Sequence, residues 1–318
     1  MKKSSQQRIR NWREYNENLV ARGRVTLWVD AGVRNAWYNE KLSGKRGASI
    51  TYSDEAILFV LMLQAVYHLP LRGAEGMAQS LFGLMGITLD IPDYSTVSRR
   101  RRYLEVPLSA HQRADGHLHI VVDSTGFKVY GEGEWKVRKH GWCKRRTWRK
   151  LHIAVDESSG EILSAVGTGN NIADKEVLQE LLDDVEVPIE QVSGDGGYDK
   201  ATCYETINDR GARAVIPPQR NARIWRHDPR WEQRNENIYR IREIETEFED
   251  KEEGRKRWKE ETNYHRRSLV ETTMMRLKKI LGERLTPRIP HAQDVELLLR
   301  CRILNKMTQL GMPPYSEK

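Results

Sequence analysis

The chain has 318 residues, with 53 Lys and Arg against 45 Asp and Glu and a net charge of +8. That length allows one large or two ordinary domains around a sizeable core, and the positive balance fits a polyanionic partner. Three widely spaced cysteines, Cys143, Cys203 and Cys301, exclude a disulfide framework and a zinc-ligand spacing. The N-terminus lacks the apolar core of a signal peptide, and the longest apolar run, Ala56 to Val66, is too short to span a bilayer. A cytoplasmic protein without a membrane partner is expected.

Residues 1–50 are polar and basic with aromatic punctuation at Trp12, Tyr15, Trp28, Trp37 and Tyr38, and read as a basic arm. Residues 51–112 read as a helical domain. Ser53 offers an N-cap, Asp54 and Glu55 suit a first turn, and the run Ala56–Val66 ends at His68-Leu-Pro70. A second helix is expected from about Arg72 to Leu84. Ser95 is the next N-cap candidate, opening a segment with Thr96 and the four arginines Arg99, Arg100, Arg101 and Arg102. Short helices, a turn and a basic helix have the layout of a helix-turn-helix DNA reader, and equally of a helical bundle with a basic edge.

The texture changes at His117. Strands are expected at His117–Asp123, Leu151–Asp156, Glu161–Val166, Ile189–Ser193 and Ala212–Ile216. Helices are expected at Asp174–Asp184, Lys200–Arg210, Asn263–Gly282 and Asp294–Leu310. Strands first, then strands alternating with helices, describe an α/β domain over 113–310 with a mixed β-sheet flanked by helices. The charged stretch 219–262 reads as an insertion, and 311–318 as a tail.

Between the first two strands lie Trp135, Lys136, Arg138, Lys139, Trp142, Lys144, Arg145, Arg146, Trp148, Arg149 and Lys150. The segment 135–150 holds eight cations, three tryptophans and no acid. Cations can follow phosphates while indoles stack on exposed bases, so the hairpin suits distorted DNA. The competing reading packs the tryptophans into the core and leaves the cations solvated.

Asp123 follows Val-Val at one strand end, and Asp195 follows another within Gly194-Asp-Gly-Gly-Tyr-Asp199. Carboxylates at the ends of adjacent strands project over one sheet edge, where ligands of α/β sheets bind. Each could instead cap a turn. Asp156 reads as a hairpin residue, and Asp174 and Asp199 as helix caps. In the late helix, Tyr264, Arg267, Glu271 and Lys278 lie at offsets of three, seven and fourteen. In an α-helix they would share a polar stripe about 60° wide. That stripe also fits a solvated surface face. Two aspartates and one glutamate offer only oxygens, the ligand set expected for Mg²⁺ or Mn²⁺, with room for two ions about 4 Å apart.

The spacing Y-x2-R-x3-E-x6-K, with Asp-Asp-Glu in that order, resembles the DDE-type insertion-sequence transposases, insertion-sequence family 5 in particular. The resemblance implies an RNase H-like catalytic core and an N-terminal helical DNA-binding domain. It implies that Asp123, Asp195 and Glu271 are catalytic metal ligands, that Arg267 and Lys278 contact DNA phosphates, and that Tyr264 positions DNA. A bacterial-type transposase would bind double-stranded terminal inverted repeats and cut and join them to target DNA. Two ends call for a homodimer in the synaptic complex. The alternatives are a stand-alone RNase H-like nuclease and a non-catalytic DNA-binding regulator derived from a transposase.

Overall fold

A computed structural model of the chain describes residues 11–24, 28, 34–39, 50–108, 110, 118–129, 148–225 and 228–311. They fall into two compact units, residues 1–107 with 302–318, and residues 108–301.

The first unit holds α1 (Trp12–Arg22), α2 (Asp54–Val66), α3 (Leu71–Leu84) and α4 (Tyr94–Arg100). Ser53 caps α2 as expected, its hydroxyl accepting the Ala56 N–H at 3.1 Å. Every residue from Ala56 to Leu63 is buried, because α2 is apolar all round and forms the centre of the unit. No single helix among the described residues is long and apolar enough to cross a membrane. The arm expected over 1–50 is in part core. Trp28 is fully buried, and Trp37 packs on Phe59 and Phe82 at 5.6 and 4.9 Å while its indole N–H donates to the Asp90 carbonyl at 2.7 Å. An indole fills core space well provided its N–H finds an acceptor.

The cap of α4 is Asp93, not Ser95. Its carboxylate accepts the backbone N–H groups of Ser95 and Thr96 at 2.9 and 3.0 Å, and the Thr96 hydroxyl at 2.8 Å. These bonds hold the Asp93 carboxyl well below its ordinary range, the Ser95 and Thr96 hydroxyls contributing most. Ser95 and Thr96 are thereby committed to the cap. Arg100 donates to the Tyr52 carbonyl at 2.8 Å and to Asp54, and Arg101 is buried. Arg99 and Arg102 keep exposed side chains, as does Tyr103. Of the four arginines expected to read DNA, Arg100 is thus bonded within the unit and Arg101 buried, while Arg99 and Arg102 are exposed.

The second unit is built on one mixed sheet of β1 (Leu118–Val129), β2 (Trp148–Asp156), β3 (Ile162–Gly169), β4 (Ile189–Ser193), β5 (Arg213–Val215) and β6 (Arg284–Leu285). The order is β3-β2-β1-β4-β5, with β6 also beside β1. The first three strands are antiparallel, while β4, β5 and β6 join in parallel. Alternation sends Leu118, Ile120 and Val122 to one face, into a core shared with α5 (Asp174–Asp183) and α6 (Ala201–Asp209). From the other face α9 (Ser268–Leu281) packs on β1 and β2. The last helix, α10 (Pro290–Gln309), sets Arg300 over the Phe127 ring at 5.7 Å.

The stretch 219–262, expected as a charged insertion, is folded and packed. It carries α7 (Glu232–Glu247) and α8 (Lys251–Glu261), a helical pair whose Ile241, Ile244 and Trp258 pack with Val215 of β5. Trp258 donates its indole N–H to Asn237 at 3.1 Å. Asp199 is likewise not a helix cap. It is buried, forms an ion pair with Arg234 of α7 at 2.6 Å and accepts the Gln219 N–H at 2.9 Å. This pair ties the loop after β4 to the helical pair.

Candidate active site

The site begins with strand register. In the parallel pairing of β1 with β4, Val121 stands opposite Ser193, and there the pairing ends. Asp123 and Asp195 each follow two residues later, so they leave neighbouring strands at the same height. Asp123 does not end its strand, since β1 continues to Val129. It marks the point where β1 loses one neighbour, and β6 takes that edge up again only at Lys128. Between them runs an open length of strand edge.

Asp123 alternates to the face covered by α9. There Arg267 donates to its Oδ2 from Nη1 at 3.1 Å, and to Glu271 Oε1 from Nη2. One guanidinium thus joins the strand carboxylate to the helix carboxylate. The expected continuous helix is broken at this place. Tyr264–Arg267 is a 3₁₀ turn, entered through Asn263 in the left-handed conformation, and the α-helix starts at Ser268. Arg267 and Glu271 still meet at i, i+4.

Burial pushes the Asp123 carboxyl above its ordinary pKa. The Ser124 N–H and Arg267 act against this, while the charges of Asp195 and Asp174 add to it. The Tyr264 phenol is raised, first by burial; Arg267 opposes this and Asp195, Asp123 and Glu271 add to it. All three candidate carboxylates therefore lie within electrostatic reach of that ring. Tyr264 also rests against Trp258 at 6.0 Å, so the helical pair buttresses the site.

Among the described residues no three His, Cys, Asp or Glu side chains are gathered tightly enough to hold a metal ion. Arg267 fills the space between Asp123 and Glu271, a physical reason for that spacing. The donor set still fits a hard dication. It consists of oxygens, the charge of Asp195 adds to the proton affinity of Asp123, and Glu271, with a side chain 55% exposed, has room to turn.

A groove of about 540 Å³ runs from Glu271 along α9, lined by Thr125, Met274, Met275, Lys278, Lys279 and Glu283. Lys278 shares it with Glu271 and lies 5.4 Å from the Phe127 ring. The basic hairpin is reached only at its end, because Trp135, Lys136, Arg138, Lys139, Trp142, Lys144, Arg145 and Arg146 lie outside the described residues. Of its last three, Arg149 pairs with Asp294 and Lys150 with Asp174 at 2.8 Å. Trp148 lies across Gly126, where an added Cβ would come within 3.2 Å of the indole. Arg149 and Lys150 are thus paired with the helices that follow the ribbon, and Trp148 with β1.

Sequence reasoning passed over Asp174 and Tyr198. Asp174 opens α5, with Lys150 and the buried His152 against its carboxylate, the latter at 3.1 Å. Burial acts to raise the Asp174 carboxyl, but His152, Lys150 and Ser124 outweigh it and hold it low. Tyr198 is 1% exposed and its hydroxyl has no hydrogen-bond partner among the described residues. The Gly-Asp-Gly-Gly-Tyr-Asp string was the available signal for Tyr198, and Asn170-Asn-Ile-Ala-Asp174 the available signal for Asp174.

Strand-borne carboxylates on an open sheet edge, a helix-borne glutamate and adjoining cations suit phosphoryl transfer. A family model described as the transposase DDE domain matches residues 114–306, and a second of the same description matches residues 20–132. The chain belongs to the DDE transposase domain family, enzymes of phosphoryl transfer that generally use divalent metals, and its helix-flanked mixed sheet with N-terminal helices is the RNase H-like transposase fold. Among solved structures it is similar to the piggyBac transposase synaptic complex with hairpin DNA, at 12% identity and a TM-score of 0.40 over 92% of this chain and 74% of that one. It is also similar to the Drosophila P element transposase strand transfer complex, at 11% identity and a TM-score of 0.30 over 54% and 42%.

Proposed function

We propose that this DDE transposase serves an insertion sequence of the bacterial family-5 type. In this reading it binds the terminal inverted repeats of its element as a homodimer in the synaptic complex. It hydrolyses a strand at each end and joins the freed 3′-hydroxyl to target DNA. Asp123, Asp195 and Glu271 hold Mg²⁺ or Mn²⁺, and the observation that carries the assignment is the register that levels Asp123 with Asp195 beside α9. Bound there, two cations would stabilise charge on the attacking and leaving oxygens of a phosphodiester.

The chain's own residues prepare that state. Arg267 occupies the space between two of the carboxylates and must release Glu271 before the three can converge. A DNA phosphate is the partner suited to draw the guanidinium away, because a planar fork pairs as well with phosphate as with carboxylate. Lys278, two turns beyond Glu271 in the same groove, supplies the next phosphate contact. Tyr264 walls the site. Arg99 and Arg102, with exposed side chains, contact terminal DNA from the helical unit.

Purified protein, a pre-cut end duplex and a target plasmid test this reading. Strand joining that requires the native terminal repeat supports a transposase. Cleavage without joining indicates a nuclease, and binding without either indicates a regulator.

A further inference from the structure

Two neighbouring residues of one turn reach two different places on the sheet. In the 3₁₀ turn Tyr264–Arg267, Arg267 binds Asp123 and Glu271, while Arg266 sets its Nε 2.6 Å from Glu157 Oε1. Glu157 directly follows β2 and lies beside His119 of β1, whose carbonyl accepts the Glu157 N–H at 2.9 Å. Side chains alternate along a strand, so His119 shares the face of Asp123, which lies four residues or about 13 Å further along β1. The turn is therefore held to that face at two points.

The two points differ in firmness. The Glu157 side chain is 8% exposed, and its other oxygen faces His119 Nδ1 at 3.8 Å. The β2–β3 hairpin that carries it is tightened by Asp156, which accepts the Ser158 and Ser159 N–H groups at 3.0 and 3.1 Å and both of their hydroxyls. Glu157 is thus a carboxylate pinned through its backbone and its hairpin. Arg267, by contrast, is divided between two carboxylates that a cation would claim. When it lets go, the turn keeps Arg266 on Glu157 and Tyr264 against Trp258.

We propose that Arg266 and Glu157 are a positioning pair for the catalytic helix, holding the start of α9 on the sheet while Arg267 exchanges its carboxylates for a DNA phosphate. The inference rests on the assignment of Asp123, Asp195 and Glu271 as ligands. Glu271 comes five residues after Arg266, in the first turn of α9, so the pair fixes the root of the segment that carries it. Without the pair that root shifts once Arg267 lets go, and Glu271 no longer meets the strand carboxylates in one geometry. A misplacement of about 1 Å can cost about 100-fold in rate, even from a change far from the chemistry.

The test is single-turnover cleavage of a terminal-repeat duplex, at saturating duplex and Mn²⁺, with duplex affinity measured alongside. It compares wild type with Glu157→Gln, Arg266→Gln, Arg266→Lys, the double glutamine variant and Glu271→Gln. Each single glutamine variant should cleave about 10–100-fold more slowly, with the Glu157→Gln affinity within about twofold of wild type. The double variant should be no slower than either single one, because both remove the same contact, and Arg266→Lys should recover most of the rate. Arg266→Gln alters a half-exposed side chain, so it decides the matter if Glu157→Gln does not fold. Either glutamine variant cleaving within about twofold of wild type overturns the inference, whatever its melting temperature. So do additive losses in the double variant, or an Arg266→Lys no faster than Arg266→Gln. If Glu271→Gln cleaves as wild type does, or wild type does not cleave, the ligand assignment fails and the inference with it.

Discussion

Two arginine–aspartate pairs in the second unit are chemically alike and physically opposite. Arg234 and Asp199 are 4% and 1% exposed and meet at 2.6 Å, with further bonds from Gln219 N–H to Asp199 and from Arg234 to the Arg223 carbonyl. Arg267 and Asp123 are each 20% exposed, meet at 3.1 Å, and share the guanidinium with Glu271. The sealed pair is closed in by these bonds and has nowhere to go. The open pair borders a groove, and its arginine is divided between two carboxylates that have other work. Seclusion, rather than the pairing itself, separates a tie from a latch.

The largest difference should appear in stability. Removing one member of a sealed pair strands the other charge, so Arg234→Ala should cost about 3–5 kcal/mol in urea unfolding. Arg267→Ala should cost no more than about 1 kcal/mol, because water and Glu271's exposure screen the loss. Equal costs would erase the distinction. A smaller effect separates the pairs through DNA. Arg267→Ala and Lys278→Ala should each reduce the slope of log K against log salt by about 1, as one phosphate contact is lost. Arg149→Ala, whose cation is held by Asp294, should leave that slope unchanged.

The smallest effect concerns an acidic group with no arginine. Asp93 is held low by its cap bonds. A carboxyl with a depressed folded pKa contributes stability above its unfolded pKa and loses it as pH falls through the folded one. Asp93→Asn should therefore flatten the loss of stability in acid while changing little at neutral pH, where the amide still caps. A curve parallel to wild type would show that the cap bonds do not couple to folding.

The sequence carried the open pair better than the sealed one. Asp123, Asp195 and the Tyr-Arg-Glu-Lys spacing stand in motifs, since strand ends and helix offsets are local. The Arg267–Glu271 contact survives although the helix is broken at Ser268, because the four-residue separation still brings the two side chains together. Asp199 and Arg234 are 35 positions apart, and no local pattern announces a contact that only the tertiary fold creates. The stretch 219–262 hid its packing under charge, yet Ile238, Ile241 and Ile244 recur every three residues and were the stripe to notice. The arginine run at 99–102 is divided by the tertiary fold, which no local pattern shows: Asp54 and Tyr52 take Arg100, the unit's interior takes Arg101, and Arg99 and Arg102 stay exposed.

The central claim is that Asp123, Asp195 and Glu271 act as one catalytic set. Its most direct measurement is single-turnover cleavage of a terminal-repeat duplex in Mn²⁺ by wild type, Asp123→Asn, Asp195→Asn and Glu271→Gln, with binding followed by fluorescence anisotropy on the same duplex. All three variants should lose cleavage while binding the duplex at least as tightly as wild type, since each removes a negative charge from the DNA-facing edge. Cleavage at the wild-type rate by any one of them would contradict the account.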